Sequence, residues 1–434
     1  MRGETMPAGA DGGAGGGGAA GGPARRNAHL THQENRGVGR HGWLRLTPAY
    51  SYRLVAEALA DRCGEDPVVL DPFSGSGTTG LVAAEHGLRA HLVDVNPFLV
   101  WFATAKTRTY RPADLARARE IGHALARHAR HVDPDGLWAP ALHRIERWWP
   151  PVELDALKRL RHLLDGVEEA EPVVDLLQVA LCRTLIAVSN AAFDHQSMSF
   201  AADGGGEASD PSEAGGAGPA ATWTVWAAEL ETLLDSARAD LDGHVTVHLG
   251  DARDLAATVD EPVDLLYTSP PYANRMSYVR ELRPYMYWLR YLTEPADAGE
   301  LDWRAIGGTW GVATSRVGGW EPGQDLPLDD ELTATCEAIR SSGGRNADLL
   351  ARYVHKYTED MWRHFRSAGQ VLRPGGRAIY VVGNSTFFGQ LVPVQDWYAR
   401  LLTEAGFHDV TVRTIRKRNS NKALYEYAVE ATWR

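Results

Sequence analysis

Residues 66–87 read DPVVLDPFSGSGTTGLVAAEHG, and the reading of this stretch decides the fold. A short apolar run (Val68 to Leu70) ends on Asp71, a glycine-rich turn follows, and an apolar helical pattern then closes at Gly87. Such a run is a buried strand feeding a helix. The pattern repeats outward. LRAHLVDVN (88–96) is a second strand and PFLVWFATAKTR (97–108) its helix. Strands HVTVHLG (244–250), PVDLLYTS (262–269) and GRAIYVVGN (376–384) follow, the last after the helical ADLLARYVHKYTEDMWRHFRSAGQVL (347–372). A helix over VPVQDWYARLLTEAG (392–406) leads to FHDVTVRTI (407–415) and LYEYAVEATW (424–433), which pair as an antiparallel hairpin at the far edge. Strands alternating with helices predict an α/β fold with a doubly wound, mostly parallel, Rossmann-like sheet and helical insertions.

The chain has 434 residues, 44% of them apolar, and a formal net charge of −11, ordinary values for a globular protein. No window is long and apolar enough to span a membrane. Residues 1–28 are Gly- and Ala-rich, lack the apolar core of a signal peptide, and read as a disordered tail. Cys63, Cys182 and Cys336 are too far apart for a CxxC metal site and suit a reducing, cytoplasmic setting. The acidic balance argues against non-specific coating of nucleic acid but permits a local basic grip. The catalytic domain is expected over 29–111 and 244–434. A mainly helical insertion fills 112–243, with a disordered loop at 201–221, and 273–345 is a possible recognition insertion.

In a parallel sheet, ligands bind beyond the carboxyl ends of the strands. Gly75 and Gly77 let the backbone approach a ligand, and Thr78 and Thr79 open a helix whose free N–H groups suit a carboxylate. Asp94 lies at the spacing of an acid that accepts ribose hydroxyls, and Asp251 in GDARDL can meet an adenine amine. These features describe a nucleoside cofactor. Taken alone, the loop also fits a plain strand-to-helix turn with surface acids. A phosphate loop would need a Lys before Thr78, and that position holds Gly77.

The second motif is TSPPY (268–272), a strand that ends on two prolines and an aromatic. With DPFSGSGTT it resembles the S-adenosylmethionine-dependent DNA amino-methyltransferases, over roughly 41–105, 244–292 and 371–390. The resemblance implies that Asp71, Phe73, Gly75 and Gly77 hold S-adenosylmethionine, joined by Thr78, Thr79, Asp94, Asn96 and Asp251. Thr47, in HGWLRLTPAYS (41–51), belongs to a segment similar to the one that closes over the methionine end. Ser269, Pro270, Pro271 and Tyr272 would hold the target base. The chemistry agrees: an exocyclic amine is a weak nucleophile and needs two acceptors to orient it, here the Ser269 hydroxyl and the Pro270 carbonyl. Tyr272 offers a stacking face to an extruded base.

Serine at 269 is typical of cytosine-N4 enzymes, whereas adenine-N6 enzymes more often carry Asn or Asp there. The order of motifs, loop before corner, departs from many cytosine-N4 relatives. Enzymes that methylate the guanine amine of RNA share the loop but usually carry Asp-Pro-Pro-Tyr. Ring-carbon methylation needs a cysteine nucleophile after a proline, and no cysteine here follows one. Double-stranded DNA is the expected partner, with Asn274, Arg275, Arg280, Arg416 and Arg418 as candidate contacts and a cognate restriction endonuclease as a possible companion. The alternatives are a solvated hairpin turn for RTIRKRNSNK (413–422) and core packing for the aromatics of ANRMSYVRELRPYMYWLRYL (273–292). A binding protein that retains the cofactor fold without activity is the reading from a different class. No metal is expected, because His123, His128 and His131 lack a ligand partner.

Overall fold

In the computed structural model the described residues are 30, 33–44, 50–60, 66–192, 199–200, 219–274, 277–309, 311–323, 326–418 and 423–434. The strands of the main sheet are β1 (Val68–Asp71), β2 (Arg89–Asp94), β3 (His244–Leu249), β4 (Val263–Thr268), β5 (Leu372–Gly383), β6 (Phe407–Lys417) and β7 (Tyr425–Trp433). Their spatial order is β6-β7-β5-β4-β1-β2-β3. The pairs β3–β2, β2–β1, β1–β4 and β4–β5 are parallel. β7 enters antiparallel between β5 and β6. The strand order reverses beside β1, so the switch point lies between β1 and β4. This is the class I methyltransferase-type, Rossmann-like fold, and the antiparallel pair occupies the far edge as the sequence predicts.

Helices cover both faces. The helices used below are α1 (Tyr52–Ala60), α2 (Thr78–Glu85), α3 (Pro97–Thr107), α4 (Pro112–Ala129), α5 (Pro151–Asp165), α6 (Glu171–Ala187), α7 (Pro219–Ala237), α8 (Tyr278–Trp288), α9 (Ala347–Val371) and α10 (Val394–Ala405); further helices span Ile145–Trp148, Pro295–Arg304, Val312–Gly318 and Asp329–Ser341. Alternation along the strands divides the core. Val69, Leu265, Ile379 and Val381 face α1 and α2, whereas Val68, Leu70, Leu266 and Tyr380 face α9 and α10. Helix α9 meets the sheet through Val354, Tyr357, Met361, Phe365 and Ala368, spaced three and four apart.

Helices α4 to α7 share a third core with Phe98 and Phe102 of α3 and Tyr285, Met286 and Trp288 of α8. The helical insertion therefore packs as a continuation of the catalytic layer. Residues 1–28 and most of 201–221 lie outside the described residues.

Candidate active site

The carboxyl ends of β1 and β4 are tied by one buried carboxylate. Asp71 Oδ1 accepts from the Thr268 hydroxyl at 2.6 Å and from Phe73 N at 3.1 Å. Its Oδ2 accepts from the hydroxyls of Thr79 at 2.7 Å and Tyr50 at 2.8 Å. Tyr50 also pairs with Thr79. Burial pushes the Asp71 carboxyl up, and the four hydrogen bonds oppose that shift. Asp71 and Thr79 hold the frame of the site, since their polar atoms are already committed within the protein. Tyr50 and Thr268 were missed, because no local pattern marks a hydroxyl that meets a carboxylate 197 positions away in sequence.

From that knot the glycine loop rises. Gly75 and Gly77 have φ of 49° and 72°, the left-handed region where glycine is at ease. A Cβ at Gly75 would meet nothing nearer than the Phe73 carbonyl at 3.9 Å, so this face of the loop is open. Gly77 N donates to Ser74 O at 2.8 Å and closes the turn into α2, with Thr78 buried in its first turn. Asp94 Oδ2 accepts from Gly75 N at 2.9 Å and Oδ1 from Asn96 N at 2.9 Å. A carboxylate has about four acceptor positions, and with the Val95 N–H also directed at it Asp94 retains room for a ribose hydroxyl donor. Burial pushes its carboxyl up to about 6, against the pull of the backbone N–H groups of Asn96 and Gly75. Beneath the loop, the buried Lys106 Nζ donates to Ser76 O at 3.0 Å, and desolvation lowers it to about 7. An open glycine face beside an underused carboxylate fits the ribose of a nucleoside cofactor.

The remaining cofactor candidates diverge. Asn96 Oδ1 caps α3 by accepting from Phe98 N at 3.0 Å, and its amide points at Met286 Sδ. Asp251 is paired with Arg253 at 2.7 Å, and Arg253 in turn bridges to Asp360 at 2.8 Å. Burial raises the Asp251 carboxyl, but the Arg253 guanidinium outweighs it and holds the group below its usual range. The Phe73 ring meets the edge of His364 at 4.9 Å, and His364 is fixed by Ala252 O and the Tyr380 hydroxyl. Thr47 lies outside the described residues.

The corner leaves β4 directly after Thr268, beside the loop that leaves β1 directly after Asp71. Ser269 Oγ donates to Val381 O at 3.0 Å. Its one hydrogen is shared between Val381 O on β5 and the Tyr272 phenolic oxygen, and its lone pairs remain available as acceptors. Pro271 O accepts from the Tyr357 hydroxyl at 2.9 Å, which is itself linked to Tyr398 at 2.6 Å. Tyr272 is held at both ends: its N–H donates to the Tyr278 hydroxyl at 3.2 Å and its phenol to Glu426 Oε1 at 2.8 Å. The turn is rigid through side-chain anchoring as well as through its prolines.

Several expected nucleic-acid contacts are otherwise engaged. Arg416 pairs with Glu426 at 2.6 Å. The Arg418 guanidinium lies 5.3 Å from the centroid of the Tyr272 ring and donates to Tyr425 O and Asn384 O. An acid from the opposite strand engages Arg416, and backbone carbonyls engage Arg418. Asn274 and Arg280 are exposed near the corner, and Arg275 lies outside the described residues. The aromatics of α8 mostly pack: Tyr285 stacks on Phe98 at 5.6 Å, and Trp288 meets Trp149 edge-on. Among the described residues no group of His, Cys, Asp and Glu could hold a metal, and no helix is long and apolar enough to cross a membrane. Cys336 is buried with its thiol pushed up to about 11, and Cys182 is buried in the helical core.

No protein-family model matches the chain. A segment of 124 residues is 27% identical to the type II methyltransferase M.MvaI of Kocuria varians, covering 28% of this chain and 27% of that enzyme. The rRNA methyltransferase aviRa from Streptomyces viridochromogenes aligns over 94% of both chains, with 12% identity and a TM-score of 0.32. The stretch that resembles M.MvaI is about a quarter of that enzyme's length.

Proposed function

We propose that this protein methylates the exocyclic amine of a nucleic-acid base, and that the acceptor is N4 of a cytosine extruded from duplex DNA. The observation that carries the reading is the Ser269 hydroxyl. Its proton is taken up within the protein, by Val381 O and the Tyr272 phenol, at a corner that starts beside the glycine loop. An N–H of the target amine then finds an oxygen lone pair there, and the Pro270 carbonyl offers a second acceptor. Holding both N–H groups directs the nitrogen lone pair away from the ring, which is what this weak nucleophile requires. The Tyr272 ring supplies the stacking face.

Gly75, Gly77 and Asp94 are the residues suited to hold S-adenosylmethionine, which when bound supplies an electrophilic sulfonium methyl group. In the transfer the amine nitrogen gains the carbon, the carbon–sulfur bond electrons remain on sulfur, and the surplus ammonium proton leaves to solvent. No covalent enzyme intermediate is needed, so positioning carries the rate. Serine at 269 favours cytosine over adenine, and the likeness to a type II methyltransferase favours DNA over RNA.

The test incubates the full chain with labelled S-adenosylmethionine and either mixed-sequence duplex DNA or tRNA, then digests to nucleosides. Label in N4-methylcytosine is expected. Label confined to adenine, or to tRNA, overturns the cytosine assignment. Mapping modified bases in DNA from cells that make the protein gives the target site and shows whether that DNA resists a companion nuclease.

A further inference from the structure

The C-terminal hairpin reaches into the corner with three charged side chains that no cofactor role explains. Glu426 sits opposite Arg416 on β6 and opposite Gly383 on β5, with its side chain buried. One carboxylate oxygen takes the Tyr272 phenol at 2.8 Å and the other takes Arg416 Nε at 2.6 Å. Arg418 continues the hairpin over Gly383, where a Cβ would meet its Cζ at 2.6 Å. A side chain there would push the guanidinium from this place, where it rests 5.3 Å from the Tyr272 ring. Burial first, then the Glu426 carboxylate, holds the phenol protonated well above its ordinary range, so it remains a donor.

We propose that Glu426 is the positioning residue of the acceptor site: fixed by Arg416, it pins the Tyr272 ring by its phenol while Arg418 covers one ring face, leaving a single face for the base. The inference rests on the amino-methyltransferase reading and adds residues to it. A ring free to rotate about its side-chain torsions offers a base many orientations, most of them with the amine out of line. A pinned ring offers one. The Arg418 guanidinium also stacks against the π face it covers, which makes that face an unfavourable place for a planar base.

The experiment compares Glu426→Gln, Glu426→Ala, Tyr272→Phe and the Tyr272→Phe/Glu426→Ala double variant in the full chain. Methyl transfer to duplex DNA and affinity for S-adenosylhomocysteine are both measured. Tyr272→Phe keeps the stacking face and removes the tether together with the phenol's contact to Ser269, whereas Glu426→Ala removes the tether and leaves that contact in place. Loss of a hydrogen bond to a charged partner predicts a fall in kcat of about tenfold or more for Tyr272→Phe and Glu426→Ala. Glu426→Gln, which retains an acceptor oxygen, should recover much of that loss. The double variant should fall no further than the worse single, because both remove one tether. S-adenosylhomocysteine affinity should remain within about twofold of the parent, since the tether does not touch the glycine loop. Wild-type kcat in Glu426→Ala, or a double variant whose loss is the product of the singles, overturns the positioning role.

Fluorine NMR of fluorotyrosine-labelled protein separates this outcome from failure of the functional reading. The Tyr272 resonance, identified by its absence in Tyr272→Phe, should move in Glu426→Ala even if no nucleic acid accepts a methyl group. An unmoved resonance sinks the tether by itself.

Discussion

The phenol of Tyr50 donates to Asp71 Oδ2 at 2.8 Å, fastening the segment ahead of α1 to the end of the central strand. Burial raises both the Tyr50 phenol and the Asp71 carboxyl, so the bond runs from a neutral donor to a carboxylate that has given up water. Tyr50→Phe leaves the other three donors in place. The expected cost is about 1.5–3 kcal/mol, the range for hydrogen bonds to charged groups. Urea unfolding should show a lower midpoint with an unchanged slope. A midpoint equal to that of the parent would mean the phenol contributes nothing.

Asp94 gives a pH signature. Its folded carboxyl titrates near 6, above the ordinary 3.8, because burial disfavours its charge. Folding therefore binds a proton between those values, and stability is lost as pH rises through about 6. Above that pH the ionised group costs about 3 kcal/mol, from two pH units at 1.36 kcal/mol each. Asp94→Asn should remove this pH dependence from the stability of the cofactor-free protein between about pH 4 and 7, while its NH2 group loses one of the two backbone N–H bonds. If ribose hydroxyls donate to the ionised form, S-adenosylhomocysteine affinity is flat above pH 6 and drops about tenfold per unit below it. Calorimetric titration from pH 5 to 8 checks this. The Asn variant should bind weakly and show no such bend.

The difference between what the sequence shows and what it hides is physical. Strand and helix periods are local, so the alternation that builds the sheet is legible in apolar spacing, and so are the glycine loop and the diprolyl corner. Side-chain partnership is not local. Asp71 sits where a ligand acid belongs, yet hydroxyls from residues 50, 79 and 268 claim it. Arg416 and Arg418 form a run without an acid, yet β-pairing brings Glu426 across the hairpin. Asn96 has the spacing of a ligand residue, and its side chain also caps α3, which Pro97 opens directly after it.

Lys106 illustrates the same point from inside the core. It ends the apolar run of α3, where a lysine usually reaches water, but here its Nζ is buried against Ser76 O. Desolvation lowers its folded value to about 7, against an ordinary 10.5. Between those values the unfolded chain binds the proton and the folded one does not, so stability rises with pH. From pH 7 to pH 9 the linkage integral is about 2 kcal/mol. Lys106→Met removes that slope. The stability of the parent relative to the variant should rise by about that amount over the interval, read from denaturant midpoints at each pH. A constant difference would show that the ammonium finds solvent.

Gly77 is where loop geometry and helix packing meet. Its φ of 72° disfavours any side chain, and a Cβ would stand 3.0 Å from Ala103 Cβ and 3.3 Å from Ala103 Cα. The second contact is with backbone, so relief requires α3 to move away from the loop. Such a shift also moves Asn96 and, through it, the backbone N–H that Asp94 accepts. Gly77→Ala should cost about 1–3 kcal/mol from backbone strain and overpacking together. Because the displaced helix carries the partner of the Asp94 carboxylate, S-adenosylhomocysteine affinity should fall along with stability. Gly75→Ala provides the contrast. Its Cβ meets only open space, so its stability cost is limited to a φ of 49° while the new methyl group stands in the face left for the ligand. A stable Gly75→Ala protein that binds S-adenosylhomocysteine as the parent does would place the nucleoside somewhere other than on this loop.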